Sequence, residues 1–254
     1  MNNTPRNELV GVVLAAGIGS RLRPLTDHAP KALYPVNGVP LLDSAIGDFS
    51  LPDSRIAVNA HHYAGQLIQH LAGRAITVSV EETLLRSAGA IGKLAPWIRG
   101  RPVAIRNADT WLRGDLSTFW RGWDQKRPRL LVKDIGVPAD FGSLRFLGLS
   151  LLPATSAAEL SAEPAGLNDL VWTPAYEQGR LDFVHFEGTA IDCGTPADYL
   201  DANLAANHGH SVIAEDSSVF GDVVESLVLP GGRVTAGERL YRHIRGPTGI
   251  DISA

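Results

Sequence analysis

The chain has little sulfur: among 254 residues there is one cysteine, Cys193, and one methionine. A single thiol excludes an internal disulfide and a cysteine metal cage, and it fits a reducing compartment. Long hydrophobic runs are also missing. No stretch approaches the roughly eighteen apolar residues that a membrane-spanning helix needs. Residues 1–8 are polar and lack the apolar core of a signal peptide. The expectation is a cytoplasmic protein with no membrane partner. Charge of one sign is not in excess either, with 23 Lys and Arg against 27 Asp and Glu, a net charge of −4. Such a balance gives no general attraction to nucleic acid, so a polyphosphate ligand would have to be held by a local arrangement. Trp111, Trp120 and Trp123 come without a basic stripe. They read as core residues on or near a helix after position 109, not as stacking platforms for bases.

Hydrophobic residues make up 44% and charged residues 20%, enough for a full core. The length suits one large domain, or one domain with a small appendage. LVGVVLAA (9–16), RIAVNA (55–60), AITVSVEE (75–82) and PVAIRNAD (102–109) read as buried strands. Between them, 41–49, 64–72 and 87–98 have helical patterning. This alternation predicts an open, mostly parallel α/β sheet, with ligands beyond the carboxyl ends of its strands. The segment 129–154 adds two extended pieces around a Pro/Gly turn, a smaller subdomain or an extension of the sheet. Residues 180–200 continue with strands and then a helix, with Thr195 as its candidate cap and Pro196 at its first position.

Beyond about residue 210 the texture changes: small and β-branched residues recur near every sixth position, with turns between. This predicts a few rungs of a left-handed β-helix. We therefore divide the chain into 1–210 and a tail, 211–254. The tail is too short to stand alone. It is expected to bury Val212, Val219, Val223, Val228 and Val234 against the main domain or a second copy, so a homo-oligomer through the tail is an expectation.

The strongest local signal is LAAGIGSRLRPLTDHAPKAL (14–33). Small residues at a strand end let backbone N–H groups approach a triphosphate and form an anion-binding concavity. Arg21 adds a planar, permanently charged fork and Lys31 a point charge. A lone Gly-x-Gly is often only a tight turn. The dinucleotide fingerprint is excluded because Arg21 and Leu22 follow where its third glycine would stand, and no Gly-Lys-Ser/Thr of a Walker A motif occurs.

Taken whole, the segment resembles the signature of sugar-1-phosphate nucleotidyltransferases. Gly17, Gly19, Ser20, Arg21, Pro24, Thr26, Pro30 and Lys31 match it in order. EETLLRSAGAI (81–91), NAD (107–109) and AIDCGTPADYL (190–200) resemble further segments of that family, which together cover roughly 8–204. The resemblance implies a Rossmann-like fold, a nucleoside triphosphate and a sugar 1-phosphate as substrates, and Mg²⁺. Carried onto this chain, Leu14, Ala15, Ala16 and Gly17 would meet base and ribose. Gly19 and Ser20 would meet the phosphates, and Arg21 and Lys31 would be catalytic. Glu82, Ala88 and Gly89 belong to the segment expected to border the base. Arg86 departs from the pattern, standing where glycine is frequent.

Asp109 and Asp192 are the metal candidates. Each follows a short apolar run, so each is expected at a strand end on the same edge of the sheet, and Mg²⁺ wants hard oxygen ligands. A plain helix cap is the other reading for either, Asp192 before Pro196 in particular. Asn107 should share a face with Asp109 by strand alternation, and the resemblance implies that it contacts the sugar; a strand-end turn residue is the other reading. His61 and His62, being adjacent, cannot easily ligate one ion and read as structural.

The acceptor region departs most from the family, since only IGVPADFGSLR lies between LLVKD and FLGLSLLP. Lys133 and Arg145 are the charged donors left there, as acceptor-phosphate ligands or as solvated surface charges, with Gly148 leaving space for the sugar ring. Within the family, guanylyl transfer to a mannose-type phosphate comes first and uridylyl transfer close behind. A cytidylyltransferase for a phospho-alcohol and a non-catalytic regulatory subunit that binds nucleotide sugar are the alternatives.

Overall fold

The computed structural model of the chain describes residues 8–247 and 250–254. The polar stretch read at 1–8 therefore lies, but for its last residue, outside the described residues. The first strand, β1 (Val10–Leu14), is apolar on both faces, as a central strand must be. A run of short 3₁₀ turns leads to the hairpin β2 (Pro35–Val36) and β3 (Val39–Pro40), then to α1 (Leu41–Phe49). There follow β4 (Ile56–Ala60), α2 (Ala64–His70), β5 (Thr77–Val80), α3 (Arg86–Lys93), α4 (Ala95–Ile98), β6 (Val103–Asn107) and β7 (Thr110–Arg113). The expected helix over 87–98 is thus two. Pro96 has no N–H to give the ladder, so α3 ends at Lys93 and α4 restarts with proline in its first turn.

The second half contributes α5 (Ser117–Trp120), β8 (Arg129–Asp134), β9 (Leu144–Leu152), α6 (Ala154–Ala158), a π-helical turn at Asn168–Trp172, α7 (Thr173–Glu177), β10 (Asp182–His185), β11 (Thr189–Asp192) and α8 (Pro196–Ala206). Seven strands form one sheet in the order β10-β8-β9-β6-β1-β4-β5. All its pairings are parallel except those of β9, which runs antiparallel between β6 and β8. The pieces over 129–154 are accordingly part of the central sheet, not a separate subdomain.

Both faces of the sheet are covered. Leu42, Ile46 and Phe49 of α1 and Leu67 of α2 pack with Val13, Val58 and Leu149 on one side. Ala88 and Ile91 of α3 pack with Val10, Val12, Ile105 and Trp172 on the other. Trp111 lies on β7, correcting the helical placement expected for it, and it is buried, as is Trp123.

The tail forms a coil of parallel strands: β12 (Val212–Ile213), β13 (Ser218–Val219), β14 (Asp222–Val224), β15 (Leu227–Val228), β16 (Arg233–Val234), β17 (Arg239–Tyr241) and β18 (His243–Arg245). The last strand, β19 (Asp251–Ser253), lies antiparallel on β18. Pairings such as Val212 with Leu227 and Asp222 with Arg239 stack successive turns. Val228, Val234 and Leu240 fill the coil itself, with Val219 and Val223 packed against them. The contact with the rest of the chain is a different set: Leu227, Leu229 and Ile244 meet Tyr199, Leu200 and Leu204 of α8, with Val212 at the margin.

Candidate functional site

Beyond Leu14 the chain leaves the sheet, and the N–H of Ala15 donates to Asn59 Oδ1 on β4 at 2.7 Å. Gly19 adopts φ +68°, a left-handed conformation that side-chain-bearing residues enter reluctantly. A Cβ there would also press on Thr26, whose hydroxyl donates to the Gly19 carbonyl at 2.8 Å. Leu22 and Leu25 are fully buried and pin the loop from below, so its polar backbone faces outward. Arg21 is then left exposed and Lys31 nearly enclosed.

Asp109 occupies the tight turn from β6 to β7. Asp192 ends β11, which pairs antiparallel with β7 so that Asp192 lies opposite Thr110. A two-stranded ribbon beside the main sheet therefore brings the two aspartates together. This corrects the expectation that both would emerge from strand ends of one sheet edge. Lys31 Nζ lies 3.0 Å from Asp109 Oδ2 and 3.5 Å from Asp192 Oδ1, while Arg21 Nη2 lies 3.6 Å from Asp192 Oδ2. The helix cap of α8 is Thr195, whose hydroxyl accepts from the Asp198 N–H, so Asp192 is not used as a cap.

Two carboxylates converging on one cation form the all-oxygen donor pair that a magnesium ion takes when phosphate oxygens complete its shell. No group of three or more His, Cys, Asp or Glu side chains stands ready to hold an ion among the described residues. Cys193 donates its N–H to the Asp109 carbonyl, and burial pushes its thiol up to about 12, which removes it as a nucleophile.

Two clefts open here. The first is lined by Gly17, Gly19, Ser20, Arg21, Lys31, Asp109 and Gly194 among others. A Cβ at Gly194 would come within 2.7 Å of Arg21 Nη2, the free end of an exposed side chain that can shift aside. The second cleft is lined by Leu14, Ala16, Gly17, Asn59, Leu84, Arg86, Ser87, Asn107 and Asp109. The two share Leu14, Gly17 and Asp109.

Several expected residues lie elsewhere. Glu82 is exposed and lines neither cleft. The preceding Glu81 is the buried one, accepting from Asn59 Nδ2 at 2.8 Å and from the Leu85 N–H at 2.9 Å. Ala88 and Gly89 are buried in α3 against the backbone of 163–165, with the Ala88 N–H donating to the Ala165 carbonyl, and neither lines a cleft. Lys133 and Arg145 are cross-strand partners on the outer part of β8 and β9. Strand alternation puts them on the face of Leu131 and Leu147, opposite that of Asn107, and neither lines a cleft. Gly148 has φ +76°, and the space a Cβ would take is filled by Thr110, Arg106 and Asn107, leaving none for a sugar ring. His61 and His62 contact backbone carbonyls of Glu81 and Thr26, in keeping with structural roles.

Sequence reasoning missed Arg106, fully buried on β6. Its guanidinium donates to Asp48 Oδ2 at 2.9 Å, to the Asn107 carbonyl at 2.8 Å and to the Thr110 carbonyl at 2.6 Å. It thereby holds both ends of the turn that carries Asp109. Asp48 is pushed above the usual carboxylate range by burial, an effect the neighbouring Arg106 partly offsets. An arginine within an apolar strand pattern, VAIRN, was the available signal.

The family model described as nucleotidyl transferase matches residues 10–145, which carry the glycine loop, Lys31 and Asp109. The chain belongs to the nucleotidyl transferase family. It is 31% identical over 140 residues to an N-acetylmuramate alpha-1-phosphate uridylyltransferase from Caulobacter vibrioides, covering 50% of this chain and 57% of that protein. It is 26% identical over 226 residues to a mannose-1-phosphate guanyltransferase from Pichia angusta, covering 75% of this chain and 62% of the relative. The chain thus spans less than two thirds of the length of either. In fold it is similar to a structure described as a mannose-1-phosphate geranyltransferase from Thermus thermophilus, with a TM-score of 0.73 at 16% identity, over 97% of this chain and 95% of the other. No helix among the described residues of this family member is long and apolar enough to cross a membrane.

Proposed function

We propose that this protein transfers a nucleotidyl group from a nucleoside triphosphate to a sugar 1-phosphate, forming a nucleotide sugar and pyrophosphate. The observation that carries the reading is the enclosed Lys31 ammonium between Asp109 and Asp192, beside a glycine loop with Arg21 at its rim. The names of the relatives, a uridylyltransferase and a guanyltransferase of sugar 1-phosphates, support it.

In this reading the triphosphate lies in the first cleft against the backbone of Gly17 to Arg21, and the nucleoside in the second. Phosphorus transfer asks mainly for positioning and charge stabilisation. Arg21 and Lys31 oppose the charge that builds on the departing pyrophosphate. Asp109 and Asp192 would hold Mg²⁺, which when bound neutralises phosphate charge and aligns the reacting oxygens. Asn107 and Asp109, lining the second cleft together, border the place where the acceptor enters. Arg106 fixes the turn beneath them, so the backbone that carries Asp109 is already in place when substrates arrive.

The test is a panel of five nucleoside triphosphates with several sugar 1-phosphates and Mg²⁺, scored by pyrophosphate release. One productive pair supports the proposal. Tight nucleotide-sugar binding with no release from any pair would replace it with a binding or regulatory role.

A further inference from the structure

The second cleft holds a residue that the family pattern does not supply. Arg86 stands where glycine is frequent, and its backbone keeps the glycine-like geometry, with φ +60°. A bulky side chain in that region is strained and persists where the surroundings over-determine it. They do so here. Glu81 holds the Leu85 N–H and is itself held by Asn59, while the next turn is tied through Ala88 to the Ala165 carbonyl.

Arg86 is the sole basic residue lining this cleft among the described residues. Its hydrogen bond goes from Nη2 to Asp169 Oδ2 at 3.3 Å, between two side chains that are each more than half exposed, so the pair is a weak tether. Two of the other polar side chains in the cleft are committed, and Asn107 and Asp109 stand at the end that the transfer reading gives to the acceptor and the metal. Asn59 uses its oxygen on the Ala15 N–H and its amide on Glu81, and the Ser87 hydroxyl accepts from the Leu167 N–H. With Arg21 and Lys31 lining the first cleft, Arg86 is a cation set apart from the proposed phosphate site.

We propose that Arg86 reads the nucleotide base, favouring one that presents a ring carbonyl (guanine, uracil or thymine) over one that presents an amino group at that position (adenine or cytosine). The inference rests on the nucleotidyl-transfer reading. A guanidinium carries donors only. It pairs with a carbonyl oxygen and, on guanine, with the adjacent N7 as a fork, whereas an exocyclic amine would set donor against donor.

Arg86→Gly removes the fork and relaxes the backbone, so the fold is not at risk. Calorimetric binding of GTP, UTP, dTTP, ATP and CTP, each with Mg²⁺, is measured on the whole chain and on this variant. The original chain should bind at least one carbonyl-bearing nucleotide about tenfold or more tightly than ATP and CTP. Arg86→Gly should erase that difference by weakening the favoured nucleotide alone, and Arg86→Lys, which has no fork, should restore only part of it. The GTP, UTP and dTTP arms identify the base. A preference for ATP or CTP, or a preference unchanged in Arg86→Gly, overturns the proposal. So does a raised acceptor KM with nucleotide affinities intact, which would make Arg86 an acceptor-phosphate ligand. Because binding is read without turnover, base discrimination without pyrophosphate release would sink the transfer reading alone. Failure of every nucleotide to bind would sink both.

Discussion

Arg106→Met tests how the site is held. The change keeps the apolar stem but removes the donors to Asp48, Asn107 and Thr110, and it leaves the Asp48 carboxylate without its cation. Breaking one partner out of a buried ion pair costs about 3–5 kcal/mol. At about 2–4 °C per kcal/mol for a chain of this size, the melting temperature should fall by roughly 6–20 °C. The folded fraction should also turn over more slowly, because both ends of the Asp109 turn lose their anchor. The sign with pH follows from Asp48. Its folded pKa lies above its unfolded one, so the folded state holds the proton more tightly and stability falls as pH rises through that interval. Arg106 lowers this pKa, so its removal widens the interval, and the deficit of Arg106→Met should shrink on going from neutral to mildly acidic buffer. Removing both partners in Arg106→Met with Asp48→Leu should recover most of the loss, since an apolar replacement of a buried pair is often neutral. Thermal melts of the three proteins at two pH values decide it. A single variant melting within about 2 °C of the original chain, about 0.5–1 kcal/mol, or a double variant worse than the single, would refute the reasoning.

Arg21→Ala and Lys31→Met should each lower turnover by roughly a hundredfold or more, as expected when one transition-state donor is lost, with Arg21→Ala melting normally; near-normal rates would show that the phosphate site is misplaced. Asp109→Asn and Asp192→Asn should weaken the Mg²⁺ dependence, and excess chelator should abolish turnover, whereas full activity in chelator would defeat the metal assignment. Lys133→Met and Arg145→Met should leave the acceptor KM unchanged, because neither side chain lines a cleft; a raised KM in either would return the acceptor phosphate to that strand pair. Ile244→Ala, in the seam between coil and α8, should cost about 2–5 kcal/mol in a chemical denaturation curve, and a change below about 0.5 kcal/mol would mean that the seam carries little stability.

What could be read without coordinates was whatever is encoded within a few residues. The apolar runs at 9–16 and 102–109 with helices between them pointed to the α/β sheet. The small residues and charges from Leu14 to Lys31 pointed to an anion-binding loop, and Thr195 before Pro196 marked a helix start that α8 obeys. Asp109 and Asp192 were candidates as types of residue at the ends of apolar runs. The neighbouring Glu81 and Glu82 could not be told apart, because burial of one and exposure of the other depend on how β5 meets α3.

The tertiary structure alone decided which of these groups meet. Asp109 reaches Lys31 from 78 positions away, and Asp192 arrives through the register of β11 on β7. The antiparallel insertion of β9, which carries Lys133's partner Arg145 away from the clefts, is likewise a matter of register. Arg106, Asp48 and Asn59 gain their roles from partners on other elements, so no local pattern announces them. The reason is physical. Loop and cap conformations are set by the sterics and hydrogen bonds of adjacent residues, whereas the meeting of distant side chains is set by strand pairing and burial summed over the whole fold.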